Sequence, residues 1–260
     1  MSENLKNPIP ENKSKFPVFV LAFIGLALIG YCIFGGISLL APKTVTPEIS
    51  EETTQQKPSN AAQTLIDESS QWVTVFDEDF DSNFNVNGWG VGNGSSEDME
   101  SNLEIQDGKY TWDVTSKNTF LVHLSPITAP PVTDFKLSAD IKLTSGTYEP
   151  IYGVLFRDDP NGDFYFFGIH GETFVIEKYI AGSYTRFVDS QKSSAILPDG
   201  TNKLTVIAKG PQFVFLINDQ YVYELVDDSI EKGGVGYGVE FNEADLHNTF
   251  EFDNFVVQFP

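Results

Sequence analysis

The part of the sequence that follows residue 72 predicts an all-β fold, a sandwich or jelly roll of antiparallel strands. Short runs in which apolar and polar residues alternate recur there, for example at residues 135–141 and 204–208, and a period of two is typical of strands with one buried face. Turn-forming pairs such as Asp107-Gly108 and Asp199-Gly200 separate the runs. No stretch of this region keeps an apolar period of 3.6 residues between capping residues, so the pattern excludes a helical bundle.

Residues 16–42 are predicted to form one transmembrane helix, because this run contains no charged residue. A bilayer core roughly 30 Å thick needs about 20 apolar helical residues, whereas the alternative, a cleavable signal peptide, has an apolar core of only about 7–15 residues. Lys13 and Lys15 precede the run. Lys43 follows it, and then come Glu48, Glu51 and Glu52. The positive-inside rule therefore places the N-terminus in the cytoplasm and the C-terminal domain outside it, as in a single-pass membrane protein.

Residues 43–71 are predicted to be a flexible linker. They are rich in Thr, Glu, Gln, Ser and Pro, and such a composition buries too little apolar surface to offset the entropy of ordering. The predicted organisation is a cytoplasmic tail (1–15), a transmembrane helix (16–42), a linker (43–71) and a β-sandwich ectodomain (72–260).

The charge of the chain excludes one class of partner, and its cysteine content excludes a disulfide in the predicted ectodomain. The formal net charge is −21, and a surface this acidic repels phosphate backbones, which excludes a nucleic acid partner. The same charge fits either an acidic coat that keeps the protein soluble or a surface that attracts divalent cations. Cys32, the single cysteine, lies in the predicted membrane helix, so the ectodomain contains no disulfide.

Several segments resemble those of a known fold family. They are residues 76–80 followed by Trp89, the pair 152–157 and 164–167, residues 234–236 and the closing residues 252–255. In this order they resemble concanavalin A-like lectin and glucanase jelly rolls, and they are similar to laminin G-like modules and to bacterial 3-keto-disaccharide hydrolase-like domains. The resemblance implies a jelly-roll β-sandwich with a concave sheet on which ligands bind. It does not select a function, since this fold serves lectins, glycosidases and adhesion modules without a ligand.

The two central hairpins can be aligned from the turns that flank them. If residues 158–163 form a loop, Arg157 lies opposite Phe164, and a tight turn at 171–172 places His170 opposite Thr173. Alternation then assigns one set of side chains to the core: Tyr152, Val154, Phe156, Tyr165, Phe167, Ile169, Phe174 and Ile176. The opposite face is predicted to carry Leu155, Arg157, Phe164, Phe166, His170, Val175, Glu177 and Tyr179.

This second face is predicted to bind carbohydrate, because rings stack on the apolar faces of sugars while charged groups bond to their hydroxyls. The expected ligand-binding residues are Arg157, Phe164, Phe166, His170, Glu177 and Tyr179, with the loop around Trp89 as a further place to look. Arg157 is expected to be oriented by Glu177, and Arg157→Lys to weaken binding about tenfold without much effect on stability. The alternative is a solvated sheet with an Arg157–Glu177 ion pair.

The search for catalytic motifs points away from an enzyme. Glucanases of the resembled fold carry Glu-x-Asp-x-x-Glu on one strand, and this triplet is absent from the sequence. The function predicted is therefore a non-catalytic module that binds a glycan or a cell-envelope polysaccharide, with no catalytic residue assigned. Two alternatives stay open: a glycoside hydrolase-like enzyme that uses Glu177 with His170 and Arg157, and a structural ectodomain that binds protein.

The resemblance also implies a place for structural calcium. Some glucanase-like members of the fold bind calcium near the C-terminus with backbone carbonyls, at a position matched here by Asp253. Asp77 and Asp79 are expected to lie nearby, and carboxylate and carbonyl oxygens are the ligands that calcium prefers.

Overall fold

The computed structural model describes residues 57–82 and 84–260. The predicted cytoplasmic tail, the predicted transmembrane helix and residues 43–56 of the predicted linker lie outside this part of the chain. Within residues 57–82 and 84–260, no helix has both the length and the apolar character needed to cross a bilayer.

The domain consists of two antiparallel sheets packed face to face, so the prediction of an all-β sandwich is confirmed. The larger sheet has the strand order β13 (Gln220–Val226), β12 (Gln212–Ile217), β11 (Asn202–Lys209), β6 (Phe135–Ser145), β15 (His247–Phe259), β4 (Lys109–Ser116), β3 (Met99–Gln106) and β2 (Gly92–Ser95), with β1 (Val73–Glu78) paired to β15. The smaller sheet has the order β10 (Ser183–Lys192), β9 (Thr173–Ile180), β8 (Phe164–His170), β7 (Ile151–Asp158), β14 (Gly234–Phe241) and β5 (Phe120–Leu124).

The main core fills the space between the sheets and is rich in aromatic rings. All eight side chains predicted for the core face of the central hairpins belong to it. The predicted alignment of these hairpins is also confirmed, because Tyr152 pairs with Ile169, and His170 pairs with Thr173. Alternation along β7, β8 and β9 therefore separates a core face from an outer face, as the sequence predicted.

Helix α1 (Asn60–Ser69) packs on the larger sheet. The hydroxyl of Ser59 caps it by accepting a hydrogen bond from the Ala62 amide at 3.1 Å. A second apolar cluster joins the helix and the segment after it to strands β11 and β12; its buried members are Ala62, Leu65, Trp72, Ile207, Val214 and Leu216. The folded domain thus begins before the predicted boundary at residue 72, because α1 covers apolar side chains of the sheet.

Candidate functional site

The outer face of the six-stranded sheet, the side that points away from the main core, carries most of the predicted ligand-binding residues. A third apolar cluster lies on it, separate from the main core, and consists of Ile151, Leu155, Phe164, Phe166 and Val175 with Leu121 and Tyr179 packed against them. Glu177 pairs with Phe166 across β9 and β8, and His170 lies at the end of β8. Five predicted residues, Phe164, Phe166, His170, Glu177 and Tyr179, are therefore brought to one face.

This outer face is concave. Strands β10 and β14 are four steps apart in the sheet, which is about 19 Å if the sheet is flat. Nevertheless the guanidinium of Arg186 on β10 bonds to Glu240 on β14 at 3.1 Å. Two side chains cannot join over a flat sheet of that width, so the sheet curls toward them. Two register shifts along β10 contribute, because bulges bend and twist a strand.

A row of glycines forms the floor of the concave face. Gly168, Gly153 and Gly238 lie side by side on β8, β7 and β14. The ring of Phe166 rests over this row, since a Cβ atom at Gly168 would lie 2.9 Å from the ring and one at Gly238 would lie 3.1 Å from it. The absence of side chains at these positions lets the Phe166 ring lie flat and be fully buried.

Above this floor lies a group of charged side chains, here called the carboxyl cluster: Glu177, Arg186 and Glu240. The Arg186 guanidinium donates from Nε to Glu177 Oε2 at 2.9 Å and from Nη2 to Glu240 Oε1 at 3.1 Å. Its Nη1 donates to Asp189 at 2.9 Å. Glu177 is 0% exposed and Glu240 is 8% exposed, so one arginine compensates two buried carboxyl groups.

The two carboxyl groups lie close together, because both bond to one guanidinium. Their remaining oxygens, Glu177 Oε1 and Glu240 Oε2, are buried and have no hydrogen-bond donor among the described residues. Burial and the neighbouring charge of Glu177 raise the pKa of Glu240 to about 7, against the opposing effect of Arg186. With this pKa, about half of the pairs hold a proton at pH 7, and about nine tenths hold one at pH 6.

Aromatic rings border the carboxyl cluster. Phe164 and Tyr179 stack with their centroids 5.3 Å apart, and Tyr184 on β10 packs on Tyr179 at 4.8 Å. Tyr184 is 48% exposed, so this ring presents a face to solvent beside Arg186. On the other side of Phe164 lies the ring of His123, at 5.3 Å. The concave face thus combines an exposed aromatic ring with converging polar groups.

Arg157 is not part of this face, and the predicted arrangement with Glu177 was wrong. Its guanidinium donates to the carbonyls of Ile230, Thr133 and Gly210 at 2.7–2.8 Å, and it lies over the ring of Phe213 in the main core, 4.7 Å from the centroid. Burial lowers the pKa of Arg157. The partner of Glu177 is Arg186 instead. A cavity of about 350 Å³ lies beside Arg157, lined also by Asp228 and Glu231.

A β-bulge explains why the Arg157 side chain points to the core and not to the outer face. Strand β14 pairs Val235 with Phe156 and then Gly234 with Asp158, leaving Arg157 as an extra residue. Arg157 has a φ of +53°, a left-handed conformation that directs its side chain to the core side. Asp158 lies on the outer face instead of Arg157, and its Oδ2 atom is 3.6 Å from Nδ1 of His123. Simple alternation cannot predict such an inserted residue.

Trp89 lies in the main core, 2% exposed, and its ring packs against Tyr110, Tyr237 and Phe255 at 5.3–5.4 Å. The side chain of Asn85 fixes the Trp89 backbone through both its N–H and its carbonyl. The ring has no free face for a ligand, so its position corrects the expectation that this tryptophan borders a binding site.

The residues expected to hold calcium, Asp253, Asp77 and Asp79, do not form a cluster of acidic side chains in the described part of the chain. The carboxylate of Asp253 bonds to the ammonium of Lys109, which already supplies a positive charge there. Asp79 accepts a hydrogen bond from the backbone of Asp81 at 3.1 Å, and Asp77 lies exposed on β1. No group of three or more His, Cys, Asp or Glu side chains in residues 57–82 and 84–260 is placed to hold a metal ion.

Sequence reasoning missed Arg186, Glu240 and Tyr184. A signal for Glu240 was present, because Gly236, Gly238 and Glu240 alternate along one strand and must share a face. Arg186 is one of only two arginines in the chain. What the sequence did not reveal was the curvature of the sheet, which brings β10 and β14 together.

Solved structures with similar folds include several carbohydrate-related proteins. A laminarinase from Flavobacterium sp. shares 12% identity with a TM-score of 0.52, over 72% of this chain and 100% of its own. A protein with a galectin-like fold from Bacillus subtilis shares 12% identity with a TM-score of 0.53, over 72% of this chain and 96% of its own. A carbohydrate-binding module from Bacillus subtilis shares 19% identity with a TM-score of 0.49, over 66% of this chain and 96% of its own.

At these identities the likeness shows the fold alone, a jelly-roll sandwich. Among curated proteins, none matches the chain significantly. A family model does match, over residues 71–255, which is most of the sandwich. The chain therefore belongs to the family of 3-keto-alpha-glucoside-1,2-lyase-like domains.

Proposed function

We propose that this domain binds carbohydrate, without chemical conversion, on the concave face of the six-stranded sheet. The observation that carries the proposal is the pairing of the exposed Tyr184 ring with the carboxyl cluster beside it. Aromatic rings cover the apolar faces of sugars, and charged groups in fixed geometry bond to their hydroxyls. A concave surface offers such contacts from several strands to one oligosaccharide.

The family supports a carbohydrate as the ligand, because its name describes proteins that act on glucosides. The laminarinase found among the similar folds points the same way. The net charge of −21 supports a neutral or cationic glycan over a strongly anionic one.

The carboxyl cluster does not support the alternative of a two-carboxylate glycosidase. Such enzymes hold their carboxyl groups about 5–9.5 Å apart, so that a sugar or a water molecule fits between them. Glu177 and Glu240 are both in contact with the Arg186 guanidinium instead, which leaves no room for either between them.

The same contact favours a second candidate function, elimination from a 3-keto-glucoside. One ionised carboxylate removes the proton on C2, the C1–O bond breaks as a C1=C2 double bond forms, and the protonated carboxyl gives its proton to the leaving oxygen. A pair that shares one proton supplies both the base and the acid. Incubation with a 3-keto-α-glucoside, followed by ultraviolet absorbance of the conjugated enone, tests this candidate. Absorbance that increases with native protein but not with Glu240→Gln would favour the enzyme.

A glycan array probed with the full-length protein tests the binding proposal. We expect binding to a defined group of glycans, lost in Tyr184→Ala because the exposed stacking surface is removed. Phe84→Ala is the matched control, since Phe84 is 79% exposed but belongs to the loop before β2. Absence of binding to every glycan and to cell-envelope polysaccharide would contradict the proposal. Equal loss in both variants would place the site elsewhere.

We further propose that residues 16–42 anchor the protein in a membrane and that the β-sandwich lies outside the cytoplasm. The uncharged run supports this proposal, as does the charge difference between its flanks. Protease added to intact cells should release the sandwich and leave a small N-terminal fragment in the membrane. Recovery of the whole sandwich in the medium, with a new N-terminus near Ala41, would identify a cleaved signal peptide instead.

A further inference from the structure

The carboxyl cluster contains two buried oxygens that no described side chain satisfies. Glu177 and Glu240 are hydrogen-bonded to the same guanidinium through one oxygen each, and their other oxygens, Glu177 Oε1 and Glu240 Oε2, are buried without a donor among the described residues. Two ionised carboxylates held on one guanidinium repel each other, and Arg186 bonds to neither of these two oxygens. A proton on one of them removes the repulsion.

We propose that the Glu177–Glu240 pair holds this proton in the free protein and releases it when carbohydrate binds, so that carbohydrate affinity increases with pH. The inference rests on the proposed function, because it concerns the same concave face. It adds to that function a pH dependence that a sugar site made of neutral groups does not have.

The chemical reason is that a sugar hydroxyl and the shared proton each satisfy a carboxylate oxygen of the pair. Each hydroxyl is a donor to a carboxylate oxygen, and an ionised carboxylate is a stronger acceptor than a protonated one. Arg186 covers the pair and has a side chain 34% exposed to solvent. A sugar that bonds to Arg186 and to Glu240, whose side chain is 11% exposed, therefore favours the ionised pair.

Several other titratable or charged groups face the pair. From β10 these are Arg186, Asp189 and Tyr184, from β9 Tyr179, from β8 His170 and from β5 His123. Burial raises the pKa of Tyr184 to about 12. Burial lowers the pKa of His170, which bonds to Ser190, and Nδ1 of His123 lies 3.6 Å from Oδ2 of Asp158. Because all these groups remain in Glu240→Gln, that variant isolates the contribution of the pair to any change between pH 6 and 8.

The sign of the effect follows from linkage. Burial and the charge of Glu177 raise the pKa of Glu240 to about 7 in the free protein, and a bound sugar lowers it. Affinity is therefore lowest below the pKa of the complex and highest above that of the free protein. About a tenth of the pairs are ionised at pH 6 and about nine tenths at pH 8, so we expect roughly tenfold tighter binding at pH 8.

The experiment measures affinity of the full-length protein for the tightest-binding oligosaccharide of the glycan array at pH 6, 7 and 8. Glu240→Gln should bind with the same affinity at all three values, because its amide donates permanently to Glu177 and does not titrate. Glu243→Gln, an exposed acid in the loop after β14, should keep the native pH dependence.

Calorimetry of the native protein in two buffers with different ionisation enthalpies counts the protons directly, whether or not Glu240→Gln folds. Release of up to about three quarters of a proton at pH 6.5 supports the proposal. Binding that is equally tight at pH 6 and 8, or tighter at pH 6, overturns it while leaving the proposed function intact. Failure of every oligosaccharide to bind at any pH refutes the proposed function and this inference together.

Discussion

Replacement of Arg157 by lysine should destabilise the domain and leave its ligand binding unchanged. Arg157 is 1% exposed and bonds to carbonyls of three separate loops, at Thr133, Gly210 and Ile230. A lysine ammonium is a single point donor and cannot span three loops. Loss of two hydrogen bonds from a charged donor, at about 1.5–3 kcal/mol each, predicts a decrease of about 3–6 kcal/mol in the free energy of unfolding.

This loss is large against a total stability of about 5–15 kcal/mol. For a domain of this size it corresponds to a decrease of at least about 6 °C in melting temperature. Urea unfolding of the full-length protein, followed by tryptophan fluorescence, measures the change. Arg186→Lys is the matched comparison: it should cost less stability, because its side chain is partly exposed, and should weaken oligosaccharide binding at least tenfold, because it disrupts the carboxyl cluster.

The reasoning would be refuted by the opposite pattern. If Arg157→Lys changes the free energy of unfolding by less than about 1 kcal/mol and weakens binding tenfold, Arg157 is a ligand residue. The cavity beside it, lined by Asp228 and Glu231, would then replace the concave face as the binding site.

Three further predictions concern the floor, the helix and the carboxyl pair. Gly153→Ala should lower the free energy of unfolding by about 1–3 kcal/mol, because a Cβ there would lie 2.1 Å from a backbone oxygen of β8; in Gly234→Ala the nearest atom is 3.6 Å away, and urea unfolding should show little change. Leu65→Ala should cost about 2–3 kcal/mol in the same assay by detaching α1, unlike the exposed Thr64→Ala. The free energy of unfolding of the native protein, relative to that of Glu240→Gln, should fall from pH 4.5 to 7. Folding raises the pKa of Glu240 to about 7, so the folded state binds an extra proton in this range. Parallel pH profiles for the native protein and the variant would contradict the shared proton.

The fold and the central hairpins could be predicted from the sequence because both depend on local patterns. Alternation identified the core face of β7, β8 and β9, and the turns flanking them fixed the alignment. Five of the predicted ligand residues lie on the outer face for the same reason.

The remaining parts of the site depend on interactions between distant segments. The bulge at Arg157 arises where β14 pairs with β7, residues that are far apart in the chain, and it inverts one side chain without any local signal. Glu240 joins Glu177 on one guanidinium only because the sheet curls, and the register shifts that contribute to this curvature lie on β10. The burial of Trp89 and the start of the folded domain were misjudged, because burial depends on what the rest of the domain places over a residue.

A crystal structure of the full-length protein with the array's tightest-binding oligosaccharide, grown at pH 8, tests the central claim most directly. The proposed function predicts a sugar ring stacked on Tyr184 and hydroxyls bonded to Arg186 and Glu240, on the concave face. Sugar bound in the cavity beside Arg157, or on the nine-stranded sheet with the concave face empty, would contradict it.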